Sequence, residues 1–204
     1  SYEDVLPFFR KAQNRQKGAN EFHGIGGPLS VSPPRSPNPL NDTFIQAGVE
    51  CQIPRNDDFN GATQEGIGFY ELTQDNGRRC STAHAYLTPA KNRENLTIFK
   101  RSIAEKVMIE NGRAIAVRAK IDGRAQIIRA NKEVILSCGA FQSPQLLLLS
   151  GIGPKSKLEE HKIDQVLELP GVGENLTDHL DYSLIYESDS EYCLGRNARS
   201  VFRV

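Results

Sequence analysis

The sequence lacks an excess of charge of either sign: lysine and arginine together number 25, and aspartate and glutamate 25. Nucleic acid and anionic membrane surfaces are held by a basic surplus, so neither partner is favoured. No apolar run approaches the ~20 residues that a spanning helix needs, and no signal peptide is visible at the start. Cysteine is scarce. Cys51, Cys80, Cys138 and Cys193 fall at no metal-ligand spacing and form no disulfide framework, the pattern of reduced thiols in a cytosolic protein. The four histidines, His23, His84, His161 and His179, have no zinc-like partner three or four residues away, so no metal is expected. Three chemical fingerprints are missing as well. There is no Gly-x-Gly-x-x-Gly behind a strand, no Walker-type phosphate loop and no Gly-x-Ser-x-Gly elbow. The nearest lookalike, Gly24-Ile25-Gly26-Gly27-Pro28, ends in proline and precedes no helix. A nicotinamide-dependent dehydrogenase and a serine hydrolase both lose their footing on these absences.

Loop formers are plentiful. Hydrophobic residues make up 38%, against 17 glycines and 11 prolines, so long irregular stretches are expected. Residues 3–14 suit a short amphipathic helix capped by Ser1. Leu29 and Val31 suit a short strand that the nearby prolines keep off a sheet centre. Asn41 is placed to cap a helix over 42–51. Residues 52–80 read as loop with short strands around 66–70, and Ser81 or Thr82 starts a helix that stops before Pro89. From Asn95 the texture turns β-rich. Runs at 96–99, 104–109, 114–119 and 126–130 are broken by Asn111-Gly112 and Asp122-Gly123, strong two-residue hairpin signals, and the last three runs predict an antiparallel meander.

The densest information lies at 133–153. Residues 133–138 are apolar on both faces, as a parallel strand covered on both sides would be. Gly139-Ala140 gives a turn, Ser143 the N-cap, Pro144 the first helical position, and Gly151 the stop. A strand feeding a helix N-terminus through small residues lets a phosphate approach the free N–H groups, although many such junctions serve packing alone. Residues 155–161 form another short helix, and 170–173 a tight turn. The turn leads to His179, which differs from the other histidines in having Asp178 and Asp181 beside it. Such a group could hold a cation or serve as a satisfied loop capping network. His161 reads as surface, and His23 and His84 as hydrogen-bonded structural residues.

Taken together, these motifs resemble the glucose–methanol–choline (GMC) oxidoreductase family, in its choline dehydrogenase-like branch. The carrying residues are Gly139-Ala140-x-x-Ser143-Pro144-x-Leu146-Leu147-x-x-Ser150-Gly151-Ile152-Gly153 and Leu169-Pro170-Gly171-Val172-Gly173-Glu174-Asn175-Leu176-Thr177-Asp178-His179. His23-Gly24-x-x-Gly27-Pro28-Leu29, Asp58-Phe59-Asn60-Gly61, residues 77–87 and Arg93-x-Asn95-Leu96-Thr97 support them in family order.

The resemblance implies an α/β fold with α+β character: part of an FAD-binding domain with an antiparallel β-meander, and part of a substrate-binding domain. Residues 1–90 would hold substrate-domain and lid-like segments, 91–178 the FAD-domain part, and 179–204 the start of the substrate-binding domain. It implies FAD-dependent oxidation of a primary alcohol to an aldehyde by hydride transfer to flavin N5. Ala104 would face the adenine, and Cys138, Gly139 and Ala140 would line the FAD side. His179 would stand in the substrate pocket. Asp181 occupies the position where choline-oxidising relatives carry a glutamate against the trimethylammonium group, and the shorter side chain leaves the identity of the alcohol open.

The family's dinucleotide motif would lie before residue 1 and its catalytic histidine after residue 204. The chain is then expected to be an internal fragment, inactive alone and weak in FAD binding. Expected partners are a small alcohol, an oxygen or quinone acceptor, and a second copy of the fragment through unpaired strand edges. The expected location is cytoplasmic, with membrane association as the alternative. The competing reading is a flavin-free binding or structural module that keeps the scaffold.

Overall fold

Two hairpin turns organise the C-terminal half of the protein. Asn111-Gly112 and Asp122-Gly123 all adopt positive φ (50°, 74°, 48° and 81°), the geometry of type I′ turns, whose twist matches that of the strands they join. They connect β5 (Ser102–Glu110), β6 (Arg113–Ile121) and β7 (Arg124–Arg129) into the expected antiparallel meander, in the order β5-β6-β7. The computed structural model describes residues 1–185, 187, 190, 192 and 193. The segment 179–204, expected to open a substrate-binding domain, therefore lies partly outside the described residues.

The chain divides into two units. The first comprises Ser1–Leu96 with the described residues from Ile185 onward, the second Thr97–Leu184. In the first, α1 (Tyr2–Ala12) begins at Ser1, whose hydroxyl donates to Asp4 Oδ2 at 2.9 Å, and carries Pro7 inside its first turns. It runs into β1 (Gln13–Arg15), which pairs in parallel with β2 (Leu29–Val31). The helix α2 (Pro39–Glu50) is capped by Asn38 rather than Asn41: Asn38 Oδ1 accepts the N–H of Leu40 at 2.9 Å. Pro39 needs no N–H partner at the first helical position, so the start moves upstream.

Residues 66–70 form no strand, only the isolated bridge Arg55–Ile67, and Phe59 and Tyr70 stack at 4.8 Å. The strands in this stretch are β3 (Gln74–Asp75) and β4 (Arg78–Arg79). Ser81 Oγ caps the next helical segment by accepting the N–H of His84. That segment is a π-helical turn, Ala83–Leu87, followed by α3 (Thr88–Ala90). Pro89 does not stop it, because it falls in the first turn of α3, where no N–H donor is required.

In the second unit the helix α4 (Gly139–Leu149) packs against β5; Val107 on β5, Ala116, Ala119 and Ile121 on β6, and Leu146 on α4 are buried. Two expectations for its approach are corrected. Residues 133–138 join no strand among the described residues, and Ile135 is 76% exposed. An apolar parallel strand needs neighbours on both edges and cover on both faces, and none of the described strands supplies them. The helix also starts at Gly139, four residues ahead of Ser143, with Cys138 as its N-cap. Ser143 reaches back from inside the helix to accept the N–H of Cys138 at 3.0 Å. Pro144 sits in the second turn, where its missing N–H leaves the Ala140 carbonyl without its intrahelical donor. Beyond α4 lie β8 (Ile152–Gly153), α5 (Lys155–Glu160) and β9 (Leu167–Glu168), with β8 and β9 paired in parallel. No helix among the described residues is long and apolar enough to cross a membrane.

Candidate functional site

The block at 139–153 has two ends of opposite character. At its start Cys138, Gly139 and Ala140 are exposed. Gly139 has φ +88°, and a Cβ built there would meet nothing within 4 Å. The start of an eleven-residue helix is thus exposed, at a point where no side chain stands between solvent and the Gly139 backbone.

The other end is an anchor. Ser150 is fully buried; its Oγ accepts the N–H of Val107 on β5 at 2.8 Å and donates to the Leu146 carbonyl at 2.5 Å. Gly151, at φ +85°, accepts from the N–H groups of Val166 and Leu167. A Cβ on Gly151 would run into the Asp164 carbonyl and Val166, so this position requires glycine twice over. The Gly153 carbonyl accepts the N–H of Leu169. One short stretch therefore ties the helix to the meander, to the segment at 164–167 and to the turn at 170–173.

Ala104 lies on β5, the edge strand that α4 packs against, and is exposed. It pairs with Ala119, and the register breaks immediately after it, between Ala104 and Lys106. His179 and Asp181 stand in an exposed segment without regular structure. The backbone N–H of His179 donates to Asp178 Oδ1 at 2.8 Å, and its ring makes no hydrogen bond among the described residues. The structure thus joins the elements that bear Ala104 and Cys138–Ala140, and leaves His179 and Asp181 outside that junction.

The first unit holds a buried charge network that local sequence pattern does not announce. Arg15, 7% exposed, donates from Nε to Glu71 Oε2 at 2.6 Å and from Nη2 to Asp58 Oδ2 at 3.0 Å. His23 Nε2 lies 2.9 Å from the same Asp58 oxygen, and its Nδ1 faces Gln13 Oε1 at 3.2 Å. Ligand atoms of His23, Asp58 and Glu71 fall within 4.8 Å of one another, close enough to hold a cation. The guanidinium of Arg15, helped by Lys17 at 3.7 Å from Glu71 Oε1, already supplies positive charge there. Beside the network an open cavity of about 720 Å³ is lined by Leu6, Phe9, Phe22, His23, Leu29 and Asn60, among others. His23 is the hydrogen-bonded structural histidine its isolation in sequence suggested. Arg15, Glu71 and Ser150 were not visible as partners, since their contacts join residues 43 to 56 positions apart.

Comparison with known proteins bears on both units. The family model for GMC oxidoreductases matches residues 1–181. The chain belongs to the GMC oxidoreductase family. An oxygen-dependent choline dehydrogenase of Pseudomonas fluorescens is 48% identical over 190 residues, which cover 91% of this chain and 34% of that protein. The chain therefore spans about a third of the length of the curated relatives it matches. Among solved GMC-like structures, pyridoxine 4-oxidase from Mesorbium loti superposes with a TM-score of 0.77 at 31% identity, over 83% of this chain and 34% of that one. An FAD-dependent oxidoreductase from Chaetomium thermophilum superposes with a TM-score of 0.79 at 25% identity, over 87% and 33%. The fold is the mixed α/β arrangement of these proteins, with small and mostly antiparallel sheets.

Proposed function

We propose that the protein carrying this sequence oxidises a primary alcohol to an aldehyde, with FAD as hydride acceptor and choline as the first substrate to test. The observation that carries the reading is the divided motif at 139–153, open at the helix start and locked to β5 at the other end. The donor set fits the nucleotide part of FAD. Small exposed residues at a helix start suit the pyrophosphate region, and the exposed Ala104 on an edge strand suits the adenine.

FAD, when bound, supplies the two-electron acceptor for the substrate hydride. The chain's own residues bind and orient. Cys138, Gly139 and Ala140 would line the cofactor, and Ala104 would face its adenine. His179 would help to position the substrate oxygen, and Asp181 would set its carboxylate against the cationic end of a choline-like substrate. Relatives named as choline dehydrogenases, at 46–48% identity, support that choice of alcohol. The 204-residue chain by itself is inactive and binds FAD weakly.

The test is to purify the full-length protein, quantify bound flavin, and follow bleaching of the flavin band under anaerobic choline and a panel of uncharged alcohols. Stoichiometric flavin that choline bleaches supports the reading. A colourless full-length protein that takes up no FAD sinks it and leaves a flavin-free module. The isolated chain is assayed alongside, and a yellow, stoichiometric preparation of it would overturn its assignment as inactive and weakly binding.

A further inference from the structure

The sheet order leaves β5 on an edge, so outward-facing N–H groups along it need acceptors from elsewhere. At Val107, itself buried, the acceptor is Ser150 Oγ. The same hydroxyl donates to the Leu146 carbonyl, which also accepts the backbone N–H of Ser150. Among the described residues this is the hydrogen bond that joins the α4 terminus to β5. At the opposite end the helix is held from within, by Ser143 on Cys138. Eleven residues at about 1.5 Å each make a lever of roughly 16 Å from one end to the other.

We propose that Ser150 is a positioning residue for FAD: by pinning α4 to β5 at Val107 it fixes the spacing between Ala104 and Cys138–Ala140. The inference rests on the flavin reading above. It goes further by giving a role to a side chain that is fully buried. FAD, which carries an adenylate, would engage both ends of that spacing. FMN carries none and would engage only one.

The experiment compares FAD and FMN dissociation constants, from flavin fluorescence, in the apo form of the full-length protein. Ser150→Ala is expected to weaken FAD roughly tenfold more than FMN, the size of effect that follows from losing a buried hydrogen-bond acceptor. Ser150→Thr keeps the hydroxyl and restores the FAD-to-FMN ratio. Leu158→Ala, which hollows a buried site on α5 and leaves the Ser150–Val107 hydrogen bond in place, lowers the melting temperature and leaves the ratio at its wild-type value. If Ser150→Ala gives no folded protein, Ser150→Cys carries the same comparison with a weaker hydrogen-bonding group. An unchanged ratio in a folded Ser150 variant whose melting temperature falls overturns the inference and leaves Ser150 as a stabilising contact. A wild-type protein that binds neither flavin overturns the flavin reading itself.

Discussion

His23 and Asp58 stand 35 positions apart and meet with Nε2 and Oδ2 2.9 Å from each other. The contact joins two of the sequence blocks that mark the family, His23–Leu29 and Asp58–Gly61. Gly24 sits where a Cβ would collide with the Arg10 carbonyl near the end of α1, so the loop after His23 is pressed against that helix. The imidazole, the carboxylate and Arg15 then hold α1, β1 and the loop at 56–61 as one body.

Removing one member of that network should cost more than its surface counterparts. Arg15→Met is expected to destabilise the first unit by about 3 kcal/mol, because Glu71 and Asp58 lose their shared cation, and Glu71 does so with its side chain only 6% exposed. Arg55→Met, at an ion pair whose side chains are 58% and 71% exposed, should change stability by less than about 1 kcal/mol. Urea denaturation of the two variants checks the contrast. Equal effects would remove the case for a buried network.

Two glycines with similar φ separate backbone strain from steric clash. At Gly123 (φ +81°) an added Cβ would have nothing within 4 Å, whereas at Gly151 (φ +85°) it would face the Asp164 carbonyl and Val166. Gly123→Ala is expected to cost about 1 kcal/mol for the left-handed backbone alone. Gly151→Ala should cost about 1–2 kcal/mol beyond that, since backbone must shift to admit the methyl group. Melting temperatures of the pair test this, and a Gly151→Ala variant no worse than Gly123→Ala contradicts the close approach.

These contrasts mark what the sequence could carry. The meander was legible because Asn111-Gly112 and Asp122-Gly123 are local signals read two residues at a time. The helix at 139–149 was legible as an element, but its start was not, because Ser143 caps from inside the helix instead of preceding it. The strand expected at 133–138 failed for a non-local reason: its composition describes a sheet interior, and the partners for it are not among the described strands. At the candidate site, Ala104 and Cys138–Ala140 came from family resemblance. The Ser150 anchor needed the structure, since nothing near residue 150 in sequence names Val107 as its partner.

Acid should loosen the turn that precedes His179. Glu174 accepts a hydrogen bond from Lys157 Nζ at 2.8 Å; that bond, and then the lysine charge, hold its carboxyl below the ordinary glutamate value near 4.5. A folded-state pKa below the unfolded one contributes stability above the unfolded value, and this is lost as pH falls through the folded value. Unfolding midpoints measured from pH 5 down to pH 3 should therefore fall more steeply in the wild type than in Glu174→Gln. Both side chains are about half exposed, so added salt should narrow the difference. Parallel acid limbs at low salt would show that the pair contributes nothing.

The proposed substrate side rests on Asp181, and its test separates charge from reach. If its carboxylate faces the cationic end of choline, Asp181→Asn in the full-length enzyme should raise KM for choline roughly tenfold, the cost of losing one partly solvated charge pair. KM for an uncharged alcohol of similar size should move little, because the lost attraction acts on the ammonium group alone. Asp181→Glu keeps the charge and adds one methylene, so it should hold choline at least as well as the wild type. Steady-state kinetics on both alcohols decide the matter. If Asp181→Asn raises KM for the two alcohols equally, the side chain acts by shaping the segment around His179, and the case for a cationic substrate falls with it.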